Sequence, residues 1–219
     1  SRQGTLFRRW ATDKLVQFAT KGFVIDVERL KEPEARDHFQ DLLEKIRDIR
    51  SSEKRMWTRV LELAAFCSDY SDRDKTAAKA FFATMQNTLY WAVTQQTAAE
   101  VVFERVDARK DNFGLTSFQG GMPTIAEAQV AKNFYGEGEI RALNLMTSMV
   151  LDFFESQAEQ QRLTTLDHFL SKMRELIRVD GRPLLGQDNR GARSKAQADA
   201  KATAEMSKYR TRIRKEKET

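Results

Sequence analysis

The amino-acid sequence predicts an all-α protein: a helical bundle-like domain with one long heptad-patterned helix and a basic C-terminal helix. Apolar residues recur at spacings of three and four along most of the 219-residue chain, and its 10 glycines and 3 prolines rarely interrupt them. With 41% hydrophobic and 32% charged residues, the chain is long enough to bury a core and polar enough to be water-soluble. We expect a helical domain over residues 1–186 and a basic, helical tail over residues 187–219.

The first predicted element is a short amphipathic helix over residues 5–21. Its apolar side chains fall at helical spacing, and Lys21 followed by Gly22 is typical of a helix end. Asp26 is suited to cap a further turn of helix that ends near Leu30.

The longest predicted helix covers residues 34–67. Its apolar side chains repeat every 3.5 residues, which is the geometry of coiled-coil packing. The seam consists of Phe39, Leu42, Ile46, Ile49, Met56, Val60, Leu63 and Cys67, with Glu53 as its one charge. Further apolar residues widen this stripe, so two interpretations stay open: packing within its own domain, or homo-oligomer formation through the helix over residues 39–67.

Two capping motifs predict where later helices begin. Residues 79–93 form an apolar core helix, after which Thr97 and Glu100 have the spacing of a capping box and predict a helix that ends near Lys110. Thr124 and Glu127 repeat this spacing before a short helix through residue 134. Two further core helices follow, one ending near residue 160 and one beginning at residue 164 or 165.

Three segments of the chain resemble the bacterial RhuM virulence-associated family. They read FRRWATDKLVQFATKGFVIDVERLK, LLEKIRDIRSSEKRMWTRV and MQNTLYWAVTQQTAAEVVFERVDARKDNFGLTSFQGG. The likeness spans most of residues 2–180. It implies a larger parent protein with an N-terminal domain similar to phage antirepressor-type DNA-binding modules, and we expect this chain to be a fragment or a processed product of it.

Several classes of protein are disfavoured by residue usage. One cysteine, Cys67, cannot form an internal disulfide, and two histidines provide no metal-binding cluster, so we expect no metal, no cofactor and a bacterial cytoplasmic location. No apolar run reaches the roughly 20 residues that span a membrane, and no membrane partner is expected. Phosphate-binding glycine loops, nucleophile motifs and the Fic-type adenylylation motif are absent from the sequence.

Positive charge is concentrated in the tail. Residues 187–219 contain ten basic and five acidic residues, which accounts for the net charge of +5 of the whole chain. Three interpretations stay open: a docked helix with solvated charges, a DNA or RNA contact, or a membrane surface or acidic partner. The predicted nucleic-acid-binding residues are Arg105, Lys110, Arg190, Arg193, Lys195, Lys208, Arg210, Arg212, Arg214 and Lys215.

Two constellations are candidates for catalysis. Glu100 and Asp107 supply carboxylates close in sequence to Arg105, Lys110, Asn112 and Thr116. This set suits acid–base or metal-assisted phosphate chemistry, but such spacings are also common in a capping box and a salt-bridged helix end without function. Arg162 and His168 resemble the Arg-x(4 to 6)-His element of HEPN-type ribonucleases, although a lone histidine is also common near a helix cap. His38 has no comparable neighbours.

The leading hypothesis is a non-enzymatic helical module that mediates assembly and DNA association in a virulence, mobile-element or host-defence context. A nuclease or toxin acting on RNA or DNA is one alternative, and a protein-interaction virulence effector is another. The sequence leaves open whether the protein is an enzyme.

Overall fold

The structure, a computed structural model, describes residues 2–71, 75–162, 165–186 and 191–218. Within these ranges the chain forms α-helices and short 3-10 helices and contains no β-strand, which confirms the all-α class. The α-helices are α1 (Arg2–Lys21), α2 (Val27–Lys31), α3 (Arg36–Ser51), α4 (Glu53–Ala64), α5 (Lys75–Thr94), α6 (Ala98–Arg105), α7 (Ile125–Ala128), α8 (Glu137–Glu159), α9 (Leu166–Val179) and α10 (Lys195–Glu218). The 3-10 helices are Pro33–Ala35, Asp111–Gly114 and Ala131–Phe134.

The chain divides into two compact units, Ser1–Lys45 and Ile46–Thr219. In the first unit Ala35 is the one buried hydrophobic residue among the described positions. Most of its large apolar side chains are exposed: Leu6, Phe7, Trp10, Leu15, Val16, Phe18, Phe23, Val24, Ile25, Val27 and Phe39. This unit therefore has little core of its own, although its helices carry the apolar faces that the sequence predicts.

The second unit is built around α5 and α8, which pack against each other and against α4 and α9. Phe154 of α8 stacks on Phe169 of α9 with ring centroids 3.5 Å apart, and Phe81 of α5 meets Phe169 edge-on at 5.2 Å. These three rings are at most 5% exposed. Their burial joins the three helices at the centre of the core, because each aromatic ring removes a large apolar area from water.

The helix predicted over residues 34–67 is divided into two. α3 ends at Ser51, Ser52 is extended with ψ of 138°, and α4 begins at the next residue. The hydroxyls of Ser51 and Ser52 donate to the carbonyls of Asp48 and Ile49, at 3.1 and 2.6 Å. Serine side chains that satisfy these carbonyls compete with the backbone N–H groups of a continuing helix.

The break also divides the predicted heptad seam. Phe39, Ile46 and Ile49 of α3 are exposed, whereas Met56, Val60, Leu63 and Cys67, in and after α4, are at most 4% exposed. The side chain of Glu53, the predicted seam charge, lies outside the described part of the chain. Packing within the protein therefore applies to the second half of the seam.

Both predicted capping boxes are present. Thr97 Oγ1 accepts from the backbone N–H of Glu100 while the Glu100 carboxylate accepts from that of Thr97, and Thr124 and Glu127 make the same exchange. The helices after them are shorter than predicted: α6 ends at Arg105, and α7 is followed by the separate turn Ala131–Phe134. Thr165 caps α9.

The predicted basic C-terminal helix is α10, and it packs mainly against α6. Ala198, Ala202, Met206 and Tyr209 form its buried stripe, each at most 5% exposed. They belong to the same hydrophobic cluster as the core residues of α5 and α8. The domain boundary predicted at residue 186 stays a prediction.

Candidate nucleic-acid interface

The loop after α6 holds an unusual left-handed backbone. Asn112, Phe113 and Gly114 have φ values of 49°, 63° and 84°. Such values cost a side-chain-bearing residue roughly 1–2 kcal/mol. The ring of Phe113 is fully buried and lies 5.5 Å from that of Tyr209 in α10, so its burial offsets part of this cost. The loop is thereby attached to the C-terminal helix.

Arg212 of α10 holds the same loop from the outside. Its guanidinium donates to the backbone carbonyls of Arg109 and Lys110, at 2.6 and 3.3 Å. Arg109, Lys208 and Arg212 line one surface pocket of about 550 Å³. The structure therefore brings cations of the loop beside cations of α10 that are about 100 residues distant in sequence.

We call the resulting group the basic surface. At about 100° per residue, Lys208, Arg212 and Lys215 lie on one side of α10, with Arg212 nearest to the buried stripe and Lys215 farthest from it. The basic surface consists of these three residues with Arg109 and Lys110 of the loop. Arg109 is highly exposed, with 89% of its side chain accessible, and Lys208 is 67% accessible.

Three cations of the basic surface are paired with carboxylates. Asp107 pairs with Arg109 at 2.9 Å and Glu205 with Lys208 at 2.6 Å, while Glu216 lies 3.5 Å from Arg212. Hydrogen bonds from Arg109 hold the pKa of Asp107 well below its usual value, and a hydrogen bond from Lys208 lowers the pKa of Glu205. Both carboxyls are ionised at neutral pH. The pocket at this surface is lined by four cationic residues, Arg109, Lys201, Lys208 and Arg212, and three acidic ones, Glu104, Asp107 and Glu205.

The other predicted nucleic-acid-binding residues lie elsewhere. Arg210 and Arg214 are exposed on the opposite flank of α10. Arg193 and Lys195 are at its N-terminal end, roughly 20 Å along the helix axis from Lys208. Arg193 stacks over the ring of Phe103 at 4.3 Å. Arg190 lies outside the described residues.

Arg105, predicted to bind phosphate, is engaged in an ion pair within the fold. Its guanidinium donates to the Glu139 carboxylate at 2.7 Å and to the Phe134 carbonyl at 2.9 Å. The hydrogen bond that Arg105 donates to Glu139 raises the pKa of Arg105 and lowers the pKa of Glu139. The guanidinium therefore stabilises the junction of α6 with α8.

Glu100 is a buried cap and not an open carboxylate. Besides completing the capping box, its Oε1 accepts from the backbone N–H of Ala192 at 2.7 Å. Burial raises its pKa, but hydrogen bonds from Thr97 and Ala192 and the charge of Arg193 together lower it. The carboxylate connects the start of α6 to the segment that leads into α10.

The rest of this predicted catalytic cluster is dispersed. Thr116 donates to the carbonyl of Tyr135 at 2.7 Å, and Asp107 is paired with Arg109. Asn112 is exposed at the left-handed turn. The structure thus brings Asp107 and Lys110 to the basic surface and separates them from the buried Glu100.

Arg162 and His168 are on either side of residues 163–164, which the structure does not describe. Arg162 is exposed after the end of α8. His168 is half-buried in the first turn of α9, where its backbone N–H donates to Thr165 Oγ1 at 3.1 Å. The other histidine, His38, is exposed on α3.

Cys67 is 4% exposed, and burial raises the pKa of its thiol to about 11. In the described ranges no group of three or more His, Cys, Asp or Glu side chains is arranged to hold a metal ion.

Among the helices of the described ranges, none has the length and apolar character needed to cross a membrane.

A family model described as the virulence protein RhuM family matches residues 1–218. The chain belongs to the RhuM virulence protein family. Searches of curated proteins and of solved structures found no match to it. The whole of the basic surface, including α10, falls within the matched part of this RhuM-family chain.

Sequence reasoning missed two features of this RhuM-family protein. Arg109 was not among the predicted nucleic-acid-binding residues, although the Asp107–Arg109 spacing is a signal for a local ion pair. The role of Arg212 as a link to the loop has no local signal, because its two acceptors are carbonyls more than 100 residues away.

Proposed function

We propose that this RhuM-family chain associates with nucleic acid through the basic surface and contacts the phosphate backbone without reading base sequence. The observation that supports this most is the pair of hydrogen bonds from Arg212 to the carbonyls of Arg109 and Lys110. They hold the loop cations beside the α10 cations, so the charges are pre-arranged. Lysine and arginine that neutralise phosphates release counterions, which supplies affinity that depends on salt.

Packing of α10 supports a rigid binding element. Its buried stripe fixes which flank faces solvent, so the helix backbone that bears these cations does not have to be ordered on binding. Aromatic side chains that stack on bases are not among the basic surface residues, and Tyr209 is buried against Phe113. The proposal is therefore limited to backbone contacts.

The test is fluorescence anisotropy of labelled duplex DNA with the full chain at two salt concentrations. The variant Lys110→Gln with Lys215→Gln removes one cation from the loop and one from α10. We expect the slope of log K against log salt to fall by up to about 2, since each phosphate contact contributes about 0.9. The matched control is Arg210→Gln with Arg214→Gln, which removes the same charge from the opposite flank.

Equal slopes for the wild type and the Lys110/Lys215 variant would contradict the proposal. Equal losses in both double variants would attribute binding to net charge and likewise reject a defined surface. Single-stranded RNA of the same length, measured in parallel, distinguishes a preference for one nucleic acid from general phosphate binding.

A second role, assembly with a second copy of the chain, is favoured by the exposed half of the seam. Ile46 and Ile49 of α3 are 42% and 57% exposed at the spacing of coiled-coil contacts. The same face on a second copy is self-complementary about a two-fold axis. Sedimentation velocity measures the oligomeric state, and we expect a dimer for the wild type and a monomer for the double variant Ile46→Lys with Ile49→Lys. The control is Gln40→Lys, at an exposed position off the seam, which should remain a dimer. A wild-type monomer would contradict this role.

The nuclease alternative has less support. Glu100 and Arg105 are hydrogen-bonded to other parts of the fold. Arg162 and His168 lie on either side of residues 163–164, which the structure does not describe. It stays a prediction, and the same labelled substrates reveal any cleavage.

A further inference from the structure

The first helix, α1, presents an exposed apolar face and has no buried residue. Five large side chains on it are between 57% and 67% exposed: Leu6, Phe7, Trp10, Leu15 and Phe18. At about 100° per residue these five lie within half of the helix surface. The rings of Phe7 and Trp10 lie 5.8 Å apart. Aromatic side chains of this kind anchor protein interfaces, so the face is suited to pack against another protein surface.

One cation lies within this apolar face. Lys14 is half-buried, and Trp10 and Phe18 are one helical turn before and after it. A lysine that an apolar partner covered would lose its hydration, which is unfavourable unless a carboxylate faces it. The face therefore suits a partner surface that combines apolar side chains with negative charge.

The first unit itself contains a segment with this combination. α1 has five basic residues and one acidic residue, whereas residues 22–45 have seven acidic and four basic residues. We call residues 22–45 the acidic segment. Two α1 helices that faced each other would bring like charges together, but α1 against the acidic segment of a second copy brings opposite charges together. Charge complementarity thus selects the pairing.

The acidic segment also offers apolar surface. Four of its large side chains are at least 40% exposed: Phe23, Val24, Val27 and Phe39. A groove of about 360 Å³ in this segment has Leu30 and Leu42 in its walls and both Asp26 and Arg29 among its polar lining residues. An apolar groove of this size accommodates one aromatic side chain of a partner.

The area needed for a stable dimer favours this larger contact. A stable interface buries about 800 Å² on each partner. Ile46 and Ile49, at 42% and 57% exposure, offer only on the order of 100–200 Å². The three aromatic rings of α1, each about 60% exposed, offer roughly 300–450 Å². In a two-fold dimer each copy contributes both α1 and the acidic segment, so the area on each partner is roughly doubled.

We propose that α1 of one copy docks on the acidic segment of a second copy, and that the two copies exchange this contact about a two-fold axis. Phe7 and Trp10 are its apolar anchors, and Lys14 faces carboxylates of the acidic segment. The inference deepens the assembly role proposed above and rests on it, because it requires a dimer. It does not depend on the basic surface.

The first test measures the dissociation constant of the dimer by sedimentation velocity over a series of concentrations of the full chain. Trp10→Ser should raise this constant at least tenfold, as expected for an interface anchor. The matched control is Val16→Ser, because Val16 is 55% exposed but lies on the opposite side of α1. Since α1 has no buried residue, both variants should keep the unfolding midpoint of the wild type.

The second test exchanges the charges of the two surfaces. Lys14→Glu with Lys21→Glu alters α1, and Glu32→Lys with Glu34→Lys alters the acidic segment. Each double variant should self-associate at least tenfold more weakly than the wild type, since each brings like charges together. An equimolar mixture of the two should form a heterodimer, because the altered α1 then meets the altered segment and the unaltered α1 meets the unaltered one.

A wild-type dimer whose dissociation constant is unchanged in Trp10→Ser overturns this inference alone, as does an equal loss in Val16→Ser. A mixture that forms no heterodimer also overturns it. A wild-type monomer contradicts the assembly role itself. Weakening by Trp10→Ser without weakening by the Ile46/Ile49 variant would support the α1 contact and contradict the contact through α3.

Discussion

The guanidinium of Arg105, at the last residue of α6, donates to the carboxylate of Glu139 in the first turn of α8. The same carboxylate accepts from the backbone N–H of Gly136 at 2.9 Å. One acidic side chain therefore satisfies the start of α8 and fixes the end of α6, two elements that are 34 residues apart in sequence.

Arg105→Gln should destabilise the fold and leave nucleic-acid affinity unchanged. The substitution leaves Glu139 and the Phe134 carbonyl without their charged donor, and we expect a loss of about 2 kcal/mol in the free energy of unfolding. Urea denaturation measures the loss, with Arg109→Gln as a control because that ion pair is solvent-exposed. Unchanged stability with reduced DNA affinity would instead assign Arg105 to phosphate binding.

Glu100→Gln should lower stability at neutral pH by about 1–2 kcal/mol, because an amide cannot accept from both Thr97 and Ala192 in the same geometry. The folded-state pKa of Glu100 lies below the ordinary 4.5. The stability that its ionisation adds is therefore present above about pH 4.5 and is lost as pH falls through the folded-state pKa.

The expected signature is a difference between wild type and Glu100→Gln that is constant from pH 7 to 5 and shrinks in more acidic solution. Thermal unfolding at a series of pH values measures it. A difference that grows on acidification would contradict the assignment, since it would require a raised pKa.

Gly114→Ala should destabilise the protein far more than Gly120→Ala. Both glycines have positive φ, 84° and 79°, so both substitutions have the same backbone cost. A Cβ at Gly114 would lie 2.6 Å from the carbonyl oxygen of Arg105, whereas nothing lies within 4 Å at Gly120. The difference between their unfolding free energies isolates the clash, and equal values would show that the loop moves freely.

Tyr209→Ala should cost about 3 kcal/mol or more, since it opens a cavity between α10 and Phe113. Arg210→Ala, at the next and exposed position, should change stability by less than about 0.5 kcal/mol.

Because Tyr209 and the rest of the buried stripe of α10 are part of the core, a chain ending at Gly186 should expose core surface and bind hydrophobic dyes. A truncated chain with native stability would contradict the docking of α10.

The sequence correctly predicted features that depend on residues close together in the chain. The Thr97–Glu100 and Thr124–Glu127 boxes each depend on a neighbour three residues away. The break at Ser52 was missed because the 3.5-residue repeat continues through it. The repeat indicates which side chains are apolar. The helix ends where it does because the serine hydroxyls bond to the backbone carbonyls of Asp48 and Ile49.

Long-range pairs could not be predicted in this way. Arg105 was a candidate for phosphate binding, and Glu100 was predicted as a cap with acid–base chemistry as the alternative, because each has polar neighbours in sequence. Their actual partners, Glu139 and Ala192, are 34 and 92 residues away. Charge alone does not distinguish a residue that faces a ligand from one that joins two helices.

The division of the seam at Ser52 separates two kinds of evolutionary change. A substitution at exposed Ile46 or Ile49 changes the solvent-facing surface of α3 and leaves the core intact, while one at buried Val60 or Leu63 alters folding. Surface chemistry and stability can therefore diverge independently along one heptad repeat.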